Sequence, residues 1–153
     1  MFVQATLHQL KFGIDSTIQM LEQFTYDELQ HRPIKNKRSL FEIYTHLSLI
    51  CYADLLILNE ASKEELNKFY SQHTPHTLAE VQQTMKEGFQ LLAKTFQAYS
   101  IAELEEITHS YWGVSYSRFE WLLEIVAHFY HHRGQLHTLL TEHVKDPLIP
   151  LFE

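Results

Sequence analysis

Three histidines have the types and spacing that a metal centre requires. His128 and His132 lie four residues apart in one segment of helical periodicity, and His46 lies in another. Side chains at positions i and i+4 project from one face of a helix, with Cβ atoms roughly 6 Å apart, so one transition-metal ion can bind both imidazoles. With His46 as the third ligand, the group resembles a three-histidine centre that leaves coordination positions open.

The segments that must position these histidines are predicted to be α-helices. The chain has only 4 Gly and 4 Pro in 153 residues, and its apolar residues recur with a helical period almost everywhere. This pattern predicts an all-α fold, a bundle of four long amphipathic helices. The four predicted helices cover residues 3–24, 39–59, 78–99 and 118–142. The longer connections, near 60–76 and 100–116, are expected to cross the bundle or to cover one of its ends.

Capping boxes locate the starts of three predicted helices. In a capping box a Ser or Thr side chain accepts the amide three residues later, and the Glu at that position returns a bond to the cap amide. The pairs with this spacing are Ser39 with Glu42, Thr77 with Glu80, and Ser117 with Glu120. Within the last helix, Gly134 costs about 1 kcal/mol relative to Ala. We therefore expect another helix to approach closely there.

The angular position of each histidine around its helix axis predicts which imidazoles point inward. At roughly 100° per residue, His132 falls inside the apolar arc of the last helix and His128 at its edge, whereas His131 and His137 face solvent. His46 lies at the border of the apolar arc of the second helix. A histidine on an apolar face is also a common hydrogen-bonded core residue. Spacing alone therefore leaves two interpretations open, core histidines or metal ligands.

Three other side chains on the same helices are candidates for supporting roles. Asp54 shares the apolar arc of the second helix, but it is about 12 Å along the axis from His46, too far to ligate the same ion. We expect it to line a pocket or to pair with a cation. Cys51 is interpreted as a buried inert thiol, with a nucleophile as the alternative. Gln135, about 20° from His128, is expected either to orient a ligand or metal-bound water, or to hydrogen-bond a neighbouring helix.

The segment before the last helix is rich in aromatic residues. Tyr111, Trp112 and Tyr116 are expected to cap one end of the bundle, with a wall of the metal pocket as the alternative. His109 in the same segment is a minor candidate for a fourth ligand. His73 and His76 are expected to lie in a solvated loop.

Composition limits the class of protein. With 45% hydrophobic residues, the chain is predicted to form a single domain over residues 1–153. A net charge of −7, from 19 acidic and 12 basic residues, argues against nucleic acid and anionic membranes as partners and leaves a small molecule as the expected ligand.

The N-terminus lacks the features of a signal peptide, and we expect no apolar run that approaches the 18 or so residues of a membrane span. The predicted location is therefore cytoplasmic, and a single cysteine, which cannot form an internal disulfide, agrees with a reducing compartment.

Two segments resemble a known family. The run HFYHHRGQLHTLL, from His128 to Leu140, resembles the H-x-x-x-H-R-G-Q-L segment of the last helix in the DinB/YfiT-like superfamily. Upstream, RPIKNKRSLFEIYTHLSLICYADL resembles the start of that family's second helix, where a basic loop with a proline precedes a Ser cap and a His about seven residues on. The resemblance implies that His46, His128 and His132 bind a divalent metal, with Zn or Ni expected. It also implies a four-helix bundle, usually of up-down-down-up order, and a homodimer.

The same resemblance suggests an activity. Characterised relatives include S-transferases and a maleylpyruvate isomerase that use low-molecular-weight thiols such as bacillithiol or mycothiol. An ion held by neutral imidazoles acidifies a bound thiol or water, so the expected function is thiol transfer to small electrophiles, or hydrolase-like chemistry. The alternative is a non-enzymatic, stress-associated dimeric bundle that binds a metal or a small ligand. An accessible polar pocket would favour the enzyme, and a closed four-coordinate ion the alternative.

Overall fold

Four long helices form most of the structure, a computed structural model that describes residues 2–152. They are α1 (Phe2–Leu21), α3 (Leu40–Leu58), α5 (Leu78–Ala98) and α7 (Arg118–His143). The predicted all-α class is confirmed, and the four predicted helices correspond to these four. The largest difference is at α1, which ends at Leu21 because residues 22–25 turn into the next capped helix.

Five short elements fill the connections that the sequence analysis left without structure. They are α2 (Tyr26–Leu29), α4 (Lys63–His73), α6 (Ile101–Glu105) and the antiparallel strands β1 (Ile107–His109) and β2 (Ser115–Ser117), which pair Thr108 with Tyr116. Each short helix begins at a full capping box like those of α3 and α5, whereas at α7 only the bond from the Glu120 amide to Ser117 forms. The sequence signal was therefore present, but these helices have too few turns to show a clear apolar period.

The central packing brings α3 against both α5 and α7, and α1 also packs on α5 and α7. Gly88 explains one close approach: a Cβ at this position of α5 would lie 3.0 Å from the ring of Tyr52 on α3. Gly134 behaves differently, because a Cβ there would meet nothing within 4 Å. The expectation of a close helix contact at Gly134 is therefore wrong.

Helix α3 is apolar enough to resemble a membrane span. Within residues 2–152 it is the one helix whose length and composition would allow it to cross a bilayer, with a mean hydropathy of 1.4. The expectation that no apolar run approaches the length of a membrane span is therefore wrong. Two thirds of α3, 67%, is buried inside the bundle, and it carries the buried Asp54. Its composition therefore fits a core helix that packs against α5 and α7.

Candidate metal centre

The packing of α3 on α7 brings three histidines together. His46 lies seven residues after the N-cap Ser39 of α3, and His128 and His132 lie one turn apart on α7. Nε2 of His46 is 3.3 Å from Nε2 of His128, and the ring centroid of His46 is 4.5 Å from that of His132. One nitrogen from each ring lies within 4.8 Å of the other two, and all three side chains are half-buried.

This geometry suits a tetrahedral ion. Two imidazole nitrogens bound at the usual Zn–N distance to a tetrahedral ion are about 3.3 Å apart, which equals the observed Nε2–Nε2 separation of His46 and His128. The three imidazoles could therefore hold a divalent ion and leave at least one coordination position for another molecule. Imidazole donors alone do not select among zinc, nickel, cobalt, copper and iron.

Electrostatics keep two of these rings neutral. Burial, helped by the positive charge of Arg38 and by the neighbouring imidazoles, lowers the pKa of His46 to about 3. Burial also lowers the pKa of His132. Since a metal binds the lone pair of an unprotonated nitrogen, both rings are in the ligand form at neutral pH.

Asp54 orients the third imidazole. Its Oδ2 lies 2.9 Å from Nδ1 of His128, and the residue is only 4% exposed. Burial alone would lower the pKa of His128, but the hydrogen bond and the charge of Asp54 raise it. A carboxylate that accepts the Nδ1 proton fixes the tautomer, so the lone pair of Nε2 faces His46. Asp54 thus pairs with a titratable imidazole, one of the two arrangements expected from sequence, and does not approach His46 as a ligand.

A second carboxylate lies behind the same ring. Glu124, one turn before His128 on α7, forms a group with Asp54 and His128 whose ligand atoms lie within 4.8 Å of one another. Burial and the charge of Asp54 raise the pKa of Glu124. Because Nδ1 of His128 already bonds Asp54, we interpret this group as support for the imidazole. Sequence reasoning missed Glu124, although its i, i+4 spacing to His128 was a usable signal.

Gln135 contacts a histidine of its own helix and not a neighbouring helix. Its Oε1 lies 3.1 Å from Nδ1 of His132, three residues earlier on α7, and not beside His128. An amide oxygen accepts the Nδ1 proton and leaves Nε2 of His132 free for a ligand. Both α7 histidines therefore have a partner that holds the ring in a fixed orientation.

Two of the three histidines line cavities beside the connector between α2 and α3, whereas His128 lines neither. The larger has a volume of about 920 Å³, and His46, Thr45 and Tyr70 are among its lining residues. The smaller, about 190 Å³, is lined by His132 and Gln135. Tyr70 belongs to α4, a helix that the sequence analysis did not predict, so the wall it forms was missed as well.

The remaining sequence candidates lie apart from the histidine cluster. Cys51 is buried, and burial raises the pKa of its thiol, as expected of an inert cysteine. His109 is exposed on β1, where its Nδ1 lies 2.7 Å from the Ser115 hydroxyl. Tyr111 and Trp112 stack edge-to-face at the turn of the strand pair, with about half of each side chain exposed.

The fold and the site define a helical bundle with a three-histidine cluster at an open cavity. The family model of the DinB superfamily matches residues 9–136, and the chain belongs to that superfamily. The predicted family is therefore confirmed.

Solved structures agree with this assignment. The chain is similar to a protein from Exiguobacterium sibiricum 255-15 assigned to the DinB family, with 29% identity and a TM-score of 0.81 over 91% of this chain and 89% of that one. A DinB-like protein from Bacillus subtilis shares 13% identity with a TM-score of 0.72, over 97% and 98% of the two chains. One from Bacillus cereus ATCC 10987 shares 17% with a TM-score of 0.72, over 91% of each. The last two likenesses concern the fold alone. No curated protein shows significant similarity to this chain.

Proposed function

We propose that this protein is a metal-dependent S-transferase that joins a low-molecular-weight thiol to a small electrophile. The observation that carries the proposal is the convergence of three imidazole nitrogens beside a cavity of about 920 Å³. A structural ion is normally closed by four protein ligands, whereas a catalytic ion keeps an open position. Within residues 2–152, the group that includes His46 has three ligands and no carboxylate or thiolate.

The residues of the chain prepare the site for this chemistry. Asp54 and Gln135 hold the protons of His128 and His132 at Nδ1, so the two Nε2 lone pairs face the same point as His46. A divalent ion at that point would supply Lewis acidity, which lowers the pKa of a thiol that reaches the open position. We favour zinc or nickel as the ion and bacillithiol or a similar small thiol as the cofactor.

The transfer step balances without any further redox partner. The thiol loses its proton to solvent, its sulfur forms a bond to an electrophilic carbon, and the leaving group departs with the electrons of the broken bond. Burial raises the pKa of Tyr70, so its hydroxyl in the cavity stays protonated and can donate to a departing anion. The proposal includes a cytoplasmic location and a homodimer, on the basis of the family resemblance.

The test begins with metal content. Untagged wild-type protein, His46→Ala and His132→Ala are reconstituted with zinc or nickel and measured by elemental mass spectrometry, with the exposed neighbour His131→Ala as the control. We expect near-stoichiometric metal in the wild type and the control, and loss of the metal in both triad variants. Folded wild-type protein that remains metal-free would refute the proposal and make these histidines core residues.

The second stage tests the thiol. Cobalt replaces the native ion, since cobalt bound to a thiolate gives an intense near-ultraviolet charge-transfer band. Addition of 2-mercaptoethanol should produce this band in the wild type and in His131→Ala. A site that binds cobalt but gives no band with any small thiol would favour the non-enzymatic, metal-binding bundle.

A further inference from the structure

A cluster of positive charge lies in an otherwise acidic chain. The chain carries a net charge of −7, yet residues 31–38, HRPIKNKR, contain four of its 12 Lys and Arg residues and no acidic residue. This segment connects α2 to α3 and forms one side of both cavities at the histidine cluster. The local charge next to the candidate metal centre is therefore opposite to that of the molecule as a whole.

Among the described residues of this segment, two cations line both cavities without a side-chain hydrogen bond or ion pair. Arg32 forms an ion pair of 2.8 Å with Glu42. Among the described residues, 2–152, no hydrogen bond or ion pair involves the side chain of Lys37 or Arg38. Both side chains line the larger cavity beside His46 and also the smaller one beside His132. Arg38 lies close enough for its charge to act on all three imidazoles of the cluster.

The connector holds these cations in place. The guanidinium of Arg32 donates to the carbonyl of Lys37, and the amide of Leu40 donates to the carbonyl of His31 at 3.0 Å. Asn36 adopts a left-handed conformation with φ of 62°, which Asn tolerates better than most residues and which turns the chain just before Lys37. The backbone that carries Lys37 and Arg38 is thus fixed before any ligand arrives, which lowers the entropic cost of binding.

An ion in the triad would add to this positive charge. Three neutral imidazoles leave a divalent ion with its full charge, and Lys37 and Arg38 add two more positive charges around the same cavities. Glu42, which also lines the larger cavity, is already paired with Arg32. Glu42 also feels the charge of Arg38, so a neutral occupant would leave these cations compensated only in part, whereas an anionic occupant would compensate them further.

We propose that the molecule that binds beside the metal centre carries a carboxylate, which Arg38 holds together with Lys37 while the reactive end of the molecule reaches the triad. A guanidinium binds a carboxylate through two parallel N–H···O bonds, and this geometry also fixes orientation. The inference rests on the proposed function for the identity of the reactive end, and it adds the substrate class, an anionic thiol or an anionic electrophile.

Calorimetry with succinate tests the carboxylate site without any thiol. Zinc-loaded wild-type protein, Arg38→Gln and Lys35→Gln are titrated at low salt. Lys35 lies in the same connector but lines neither cavity, so it controls for the general charge of the segment. We expect Arg38→Gln to weaken succinate binding by about tenfold, the effect of losing a charge-assisted bond, and Lys35→Gln to change it less than about twofold. Equal metal content in all three proteins, measured by elemental mass spectrometry, shows that a loss of succinate binding is not a loss of metal.

Two results would overturn the inference: a wild type that does not bind succinate, or an Arg38→Gln variant that binds it as tightly as the wild type. A parallel titration of the cobalt form with mercaptosuccinate and 2-mercaptoethanol separates this inference from the proposed function. Both thiols giving the charge-transfer band, while succinate binding does not depend on Arg38, would refute the carboxylate site alone and leave thiol transfer standing. Neither thiol giving the band, while succinate binding still depends on Arg38, would refute thiol transfer and leave the carboxylate site standing.

Discussion

Replacement of Asp54 by Asn tests whether the buried carboxylate serves the metal. The substitution keeps the size and a hydrogen-bond acceptor but removes the charge that lies 2.9 Å from Nδ1 of His128. Loss of such a carboxylate behind a metal-binding imidazole typically weakens metal affinity 10- to 100-fold, or about 1.4–2.7 kcal/mol. We expect the upper half of this range, since Asp54 is only 4% exposed and solvent screens its charge poorly.

The assay is competition for zinc against a chromophoric chelator near pH 7.5. Asp146→Asn is the matched control, because Asp146 also faces a histidine, but at 3.9 Å from His137 and with 61% of its side chain exposed. We expect that control to change zinc affinity less than about twofold. The free energy of unfolding of the metal-free Asp54→Asn protein should stay within about 1 kcal/mol of the wild type, since the variant also removes a buried charge. Unchanged zinc affinity, or a loss of stability without a loss of affinity, would refute the role assigned to Asp54.

Further predictions concern pH and the two helical glycines. Because the folded-state pKa of His46 is lowered to about 3, its contribution to stability is present above its ordinary value of 6.5 and is lost as the pH falls toward 3. At about 1.4 kcal/mol per pH unit, metal-free protein should lose up to about 5 kcal/mol over this interval in denaturant titrations. His46→Gln should flatten the dependence, and an equally steep curve in the variant would contradict the assignment. Gly134→Ala should raise the free energy of unfolding by about 0.5–1 kcal/mol, because the added methyl meets open space on α7. Gly88→Ala should lower it, because its methyl would crowd the Tyr52 ring, and thermal melts that show both alanines shifting stability in the same direction would contradict this packing.

The sequence was informative where a feature depends on one helix. The periods of α3 and α7, with the i, i+4 spacing of His128 and His132, were enough to predict the helices and the inward-facing rings. Capping-box spacing also marks the starts of the short helices, but these helices were not predicted, because a short amphipathic segment cannot be told from a loop by its apolar period alone. The prediction for Gly134 failed because a glycine within a helix does not by itself indicate that another helix packs against that position.

Features that depend on two helices could not be read from sequence. Asp54 and His128 are separated by 74 positions, and their contact follows from how α3 packs on α7. The cavity wall around Tyr70 depends on α4, whose position is likewise set by tertiary packing.

The distribution of charge around the triad links the proposed metal to the proposed ligand. Asp54 and Glu124 lie behind His128, on the side away from His46, while Lys37 and Arg38 line the cavities in front. The carboxylates favour the arrival of a divalent cation, and the cations favour an anion in the cavity once the metal is bound. Metal and carboxylate ligand should therefore bind with positive coupling, and by reciprocity each should raise the affinity for the other by the same factor. Succinate that binds metal-free protein as tightly as zinc-loaded protein would show that the two charge clusters act independently.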